Sequence, residues 1–129
     1  MGSGECGMED SNLQARTKQL ALRIVRLFGR LPKASEAQVI GKQLLRSGTS
    51  VAANYRESCR ARSEPEMIAK LGIVEEEADE SAYWLELIIE GALLKPTVVQ
   101  SLLDEANELT RIAGKSRVTA SRSKSRPSK

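Results

Sequence analysis

The chain has 129 residues, of which 40% are hydrophobic, 29% charged and only 3% aromatic. That length accommodates one domain, and the composition fits a folded core of Leu, Ile, Val and Ala. Histidine is absent altogether, which excludes His-ligated metals, Ser-His-Asp or Cys-His catalysis and imidazole proton transfer.

Residues 1–11 are Gly-rich and polar and read as a disordered leader. A first helix is expected over about 12–31, with Leu13, Leu20, Ile24, Leu27, Phe28 and Leu31 on one side. Leu31-Pro32 stops it, because a residue before proline avoids the α region. A second helix, about 36–60, opens with Ser35 and Gln38 in a capping-box pattern. Its core stripe is Ala37, Ile40, Leu44, Gly48, Val51, Tyr55 and Cys59, with Gly41 and Gly48 permitting close approach of a neighbour.

The third helix has the clearest start: Ser63 as N-cap, Pro65 in the first turn and Glu66 three residues after the cap. It runs to a glycine stop at Gly91, with Met67, Leu71, Val74, Ala78, Ala82, Leu85 and Ile89 facing the core. A fourth helix begins near Pro96-Thr97, carries Val98, Val99, Leu102, Leu103, Ala106, Leu109 and Ile112, and ends at Gly114. Four helices with short connections read as an all-α, antiparallel up-down-up-down four-helix bundle over residues 12–113. Residues 114–129 read as a disordered Ser/Lys/Arg tail.

The formal net charge of +3 conceals an asymmetry. The tail holds six bases and no acid: Lys115, Arg117, Arg122, Lys124, Arg126 and Lys129. The rest of the chain carries 14 bases against 17 acids, so it is acidic by itself. The two cysteines, Cys6 and Cys59, form no metal-binding pattern and read as free cytosolic thiols. No apolar run is long enough for a membrane helix and no signal peptide is visible, so the expected location is cytoplasmic, with no membrane partner.

Three faces invite more than packing. Opposite its core stripe, the third helix carries Ile73, Glu80, Tyr83, Trp84 and Leu87; either loops and chain ends cover them or they form a subunit interface anchored by Trp84. The second helix has a polar stripe of Gln43, Arg46, Ser50, Asn54 and Glu57, either a solvated face or a polar seam buried between subunits. Arg56, Arg60 and Arg62 run off the end of that helix. They either complement its dipole or, with Arg46 and the tail bases, bind phosphates. The acids of the third helix (Glu75, Glu76, Glu77, Asp79, Glu80, Glu86, Glu90) have no ligands converging from other helices, so a di-metal centre is not expected. No cofactor motif is present, and no catalytic, metal or cofactor site is assigned.

The run from Gln43 to Glu57 (QLLRSGTSVAANYRE) resembles the core motif of the four-helix-bundle proteins encoded in 23S ribosomal RNA intervening sequences. Arg60-Ala61-Arg62-Ser63, Met67-Ile68 to Leu71, and Glu80 through Tyr83-Trp84-Leu85 to Glu86 match it as well, so the resemblance spans roughly residues 13–113. Two departures are Glu57-Ser58 where the family usually has Glu-Gly, and an acidic run at 75–80 where it often has Gly-Ser-x-x-E. The resemblance implies a left-handed bundle that assembles into a ring-like homopentamer. It also implies similarity to the accessory variability protein of diversity-generating retroelements, which binds nucleic acid and a reverse transcriptase.

The expectation is therefore a non-enzymatic homo-oligomer that binds RNA, DNA or a ribonucleoprotein, its contacts drawn from Arg46, Arg56, Arg60, Arg62, Lys115, Arg117, Arg122, Lys124 and Arg126. A structural adaptor for a protein partner is the alternative.

Overall fold

The computed structural model describes residues 8–125, with side chains described for residues 12–122. The chain folds into α1 (Met8–Arg30), α2 (Ser35–Cys59), α3 (Glu64–Glu90) and α4 (Pro96–Ser125), with no strand among the described residues. Short connections make neighbouring helices antiparallel. The most extensive packing is α2 on α3 and α3 on α4, then α1 on α2, while α1 meets α4 sparingly. α1 and α3 lie on one diagonal of the bundle and α2 and α4 on the other.

The core follows the apolar stripes. Leu20, Ile24, Leu44, Val51, Leu85, Val99 and Ala106 are sealed from solvent, joined by Tyr55, Leu71, Val74, Ala78, Ala82 and Leu109. Ile40, Cys59, Met67, Ile89, Val98 and Ile112 pack against this core from its margin. Ile88, not among the expected core residues, is fully buried beside them. The glycine of the second stripe serves close approach: a Cβ on Gly48 would collide with Ile24 Cδ1 and lie 3.3 Å from its Cγ1 and Cγ2. On the other side of α2, the hydroxyls of Ser47 and Ser81 meet at 2.9 Å in a fully buried contact with α3.

The helix ends agree only partly with expectation. Ser63 caps α3, its Oγ accepting from the Glu66 amide at 3.2 Å, while Glu66 Oε1 accepts from the Arg62 amide at 3.1 Å. The Ser63 bond satisfies one orphan amide of the first turn, and the Glu66 bond ties the residue before the cap to that turn. At α2 the capping box does not form. Ala34 is the N-cap and makes no side-chain bond, Ser35 is already helical, and Gln38 Nε2 donates to the Pro32 carbonyl at 2.8 Å. The end of α3 is a Schellman motif displaced by one residue from Gly91. Ala92 adopts the left-handed conformation (φ 57°) and donates to Ile89 O at 3.0 Å, while Leu93 donates to Ile88 O at 2.9 Å.

The largest correction concerns Gly114. It does not end α4, which continues to Ser125, so residues 114–125 are helix and not an irregular tail. Glycine at 114 lets the Glu75 carboxylate of α3 approach closely: a Cβ there would lie 2.7 Å from Glu75 Oε2, so the side chain would have to shift. Arg117 Nε then donates to Glu75 Oε1 at 2.9 Å, pinning the extension to α3. A second correction concerns Cys59, which is disulfide-bonded and not a free thiol. Cys6, most of the expected leader and residues 126–129 lie outside the described residues.

Candidate nucleic-acid interface and assembly faces

Alternation of helix direction brings the start of α1, the end of α2, the start of α3 and the end of α4 to one end of the bundle. An open cavity of about 700 Å³ there is lined from all four helices, by Leu13 and Arg16, Tyr55 and Ser58, Met67, and Lys115 among others. The arginines that run off α2 and the bases of the α4 extension therefore share a locality that the sequence does not reveal.

Arg56, Arg60 and Arg62 are exposed, and their guanidinium groups have no partner among the described residues. Lys115 is exposed and equally unpaired at the cavity rim. Arg122 is exposed on the last described turn. Lys124 lies within α4, but its side chain is outside the described residues, as is Arg126 entirely. The same end carries exposed acids at Glu64 and Glu66.

Two expected phosphate contacts are already engaged. Arg117 is held by Glu75. Arg46 Nη1 lies 3.3 Å from Glu77 Oε1, its Nη2 donates to Glu80 Oε2, and its Nε donates to Gln43 Oε1 at 3.3 Å. The Glu80 bond, ahead of the charges of Glu80 and Glu77, raises the Arg46 pKa further above its ordinary value. Glu80 is correspondingly held below the usual carboxylate range, first by the Trp84 indole and then by Arg46.

The polar stripe of α2 thus resolves into three local contacts. Gln43 and Arg46 join the α3 carboxylates. Asn54 Nδ2 donates to Ser50 Oγ and Ser50 O, both at 2.9 Å. Glu57 pairs with Lys70 of α3 at 2.6 Å, which raises the lysine pKa. Gln43, Arg46 and Glu57 are exposed and Ser50 and Asn54 half-buried, so the stripe is not buried within one chain.

On the outer face of α3, Tyr83 is half exposed at 51%, while Ile73, Glu80, Trp84 and Leu87 are half-buried. Trp84 leans on the core from its margin, its Nε1 donates to Glu80 Oε2 at 2.9 Å, and its ring meets Tyr83 edge-on with centroids 5.0 Å apart. Glu77 and Glu75 emerge as the partners of Arg46 and Arg117, roles that sequence reasoning missed. Their acidic character was visible, but nothing in the sequence paired them across helices.

Among the described residues no group of three or more His, Cys, Asp or Glu could hold a metal, and no helix is long and apolar enough to cross a membrane.

These features define a four-helix-bundle protein with an exposed arginine cluster at one end and an acidic, partly aromatic face along one helix. The chain belongs to the 23S rRNA-intervening sequence protein family, whose sequence pattern it matches over residues 9–115. It is similar to a crystallised protein of unknown function from the S23 ribosomal protein family of Bacteroides thetaiotaomicron. The two share 34% identity and superimpose with a TM-score of 0.79, covering 85% of this chain and 98% of that one. No curated protein matches the chain.

Proposed function

We propose that this protein is a non-enzymatic homo-oligomer, pentameric if it follows the ring implied by its family resemblance, that binds nucleic acid or a ribonucleoprotein. The observation that carries the reading is that Arg56, Arg60 and Arg62 have no partner among the described residues, at the bundle end where α4 delivers Lys115 and Arg122. Arginine without an internal carboxylate partner retains its full charge for phosphate oxygens, which it grips in a planar, bidentate fork. Arg46 and Arg117, neutralised by glutamates, contribute structure instead. No exposed aromatic accompanies the cluster, so contact is with the phosphate backbone and not with stacked bases. Repetition of the end in an oligomer multiplies weak contacts into avidity.

The test is fluorescence anisotropy with labelled mixed-sequence RNA and DNA over a salt series. The triple variant Arg56→Glu, Arg60→Glu, Arg62→Glu is expected to bind at least ~10-fold more weakly. Its log–log salt slope should be shallower by about 0.9 for each phosphate that the variant no longer neutralises. Unchanged affinity would remove the cluster from the reading. Absence of any binding by the unaltered protein near physiological salt would favour the second reading, a protein adaptor, which the half-exposed Tyr83 beside Trp84 supports.

A further inference from the structure

α1 and α3 carry opposite charge on outward faces that no other described helix covers. From Asn12 to Arg30, α1 has five bases and no acid, whereas α3 has nine acids and one base. Because the two helices are diagonal, they do not neutralise one another inside the bundle.

On α1 the outward strip is Lys18, Leu22, Val25, Arg26 and Gly29, all exposed; Leu22 is 39% and Val25 48% accessible. Lys18 and Arg26 have no partner among the described residues, unlike Arg16, which is held by Glu105, and Arg23, which donates to Ser101. Two apolar side chains thus sit between two free cations separated by eight residues, about 12 Å of helix. On α3 the outward strip centres on Tyr83 and Leu87. Glu76 and Asp79 lie before them and Glu90 after, all three exposed and without a partner among the described residues. Asp79 and Glu90 are about 16 Å apart along the helix. The pattern is the same on both helices, cation–apolar–cation on one and acid–apolar–acid on the other.

We infer that the basic-apolar strip of α1 docks on the acidic-aromatic strip of α3 in a second copy of this chain, with Leu22 and Val25 against Tyr83 and Leu87, and Lys18 and Arg26 against Asp79 and Glu90. This rests on the homo-oligomer of the proposed function and supplies its contact surface. Charge complementarity selects a second copy: each strip is the counterpart of the other, so the chain itself presents both halves of the contact. Like strips repel, so α1 does not pair with α1 nor α3 with α3.

The two strips point away from opposite corners of one bundle. A two-fold dimer cannot satisfy both, because the α1 and α3 strips of one subunit would have to reach the same partner from opposite sides. The contact is therefore head-to-tail and propagates until the rotation closes a ring.

Light scattering on the full chain tests this with two charge reversals, Lys18→Glu with Arg26→Glu, and Asp79→Lys with Glu90→Lys. All four positions are exposed, and circular dichroism verifies that each variant folds. Each variant alone is expected to fall towards the 14.1 kDa single chain, because its reversed strip now meets a like-charged one. Combining all four reversals in one chain is expected to restore assembly, because every reversed α1 strip then meets a reversed α3 strip of opposite charge, whatever the number of subunits in the ring. An assembled native protein with both variants unchanged in mass would overturn this contact alone, as would dissociation that the combined four-reversal variant fails to rescue. A native protein that is itself monomeric at micromolar concentration would overturn the contact together with the homo-oligomer. Phosphate contact by Arg56, Arg60 and Arg62 is read separately by the anisotropy experiment, and loss of assembly would remove only its avidity.

Discussion

The indole of Trp84 donates to the carboxylate of Glu80 one turn earlier on α3, Nε1 to Oε2 at 2.9 Å, and the same oxygen receives Arg46 from α2. A tryptophan that fills the margin of the core thereby also fixes the partner of an arginine on another helix. Glu80 becomes the junction between aromatic packing and an interhelical ion pair. Trp84→Phe keeps the ring on the core and removes the donor. A decrease of about 1 kcal/mol in chemical denaturation is expected for this partly exposed bond. The Glu80 carboxyl should titrate at a higher pH, as followed by carboxyl-carbon NMR.

The pH dependence of this junction has a definite sign. Glu80 is held below the usual carboxylate range when folded, so its stabilising contribution is complete above the unfolded value of about 4.3. It disappears as the pH falls through the folded value. Glu80→Gln cannot make that transition. Denaturation midpoints of the two proteins are expected to differ most at neutral pH and to converge in strong acid. A gap that stays constant with pH would contradict the assignment.

Ala92 occupies the left-handed position that ends α3, at φ 57°, a region where a side chain is strained and glycine is not. Ala92→Gly is expected to raise stability by roughly 0.5–1 kcal/mol, the relief of strain exceeding the entropy glycine adds to the unfolded chain. Thermal unfolding reads the shift.

Two helical glycines should respond in opposite directions. Gly29 has nothing within 4 Å of where a Cβ would stand, so Gly29→Ala is expected to gain up to about 1 kcal/mol of helix propensity. Gly48→Ala gains the same propensity but drives a methyl into the sealed side chain of Ile24. Overpacking outweighs propensity there, and a net destabilisation of about 1–2 kcal/mol is expected by urea denaturation.

The buried Ser47–Ser81 contact makes a non-additive prediction. Each single alanine substitution leaves one sealed hydroxyl with a poorer set of partners and is expected to cost about 1 kcal/mol. The double substitution should cost less than the two singles together, because it leaves no sealed hydroxyl short of a partner.

The apolar period determined the bundle. Leu20, Ile24, Leu44, Val51, Leu71, Val74, Leu85, Val99 and Leu109 are buried because 100° per residue places them on one side of each helix, a property of the sequence before any helix meets another. The Ser63 cap was equally legible, since a cap is a contact within four residues. Only tertiary structure decided the rest. Gly114 had the local form of a helix stop, yet its neighbour is Glu75 on α3, and Arg117 carries the helix onward by binding that same carboxylate. Cys59 gave no sign of its disulfide, because pairing is set by proximity and not by spacing. The excess of positive charge was similarly reapportioned. The absence of histidine was final in the sequence, but which bases remain available was not. Arg46 and Arg117 are consumed by glutamates 31 and 42 residues away, whereas Arg56, Arg60 and Arg62 have no partner among the described residues. Local periodicity is written residue by residue; the pairing of charges depends on which helices the fold sets side by side.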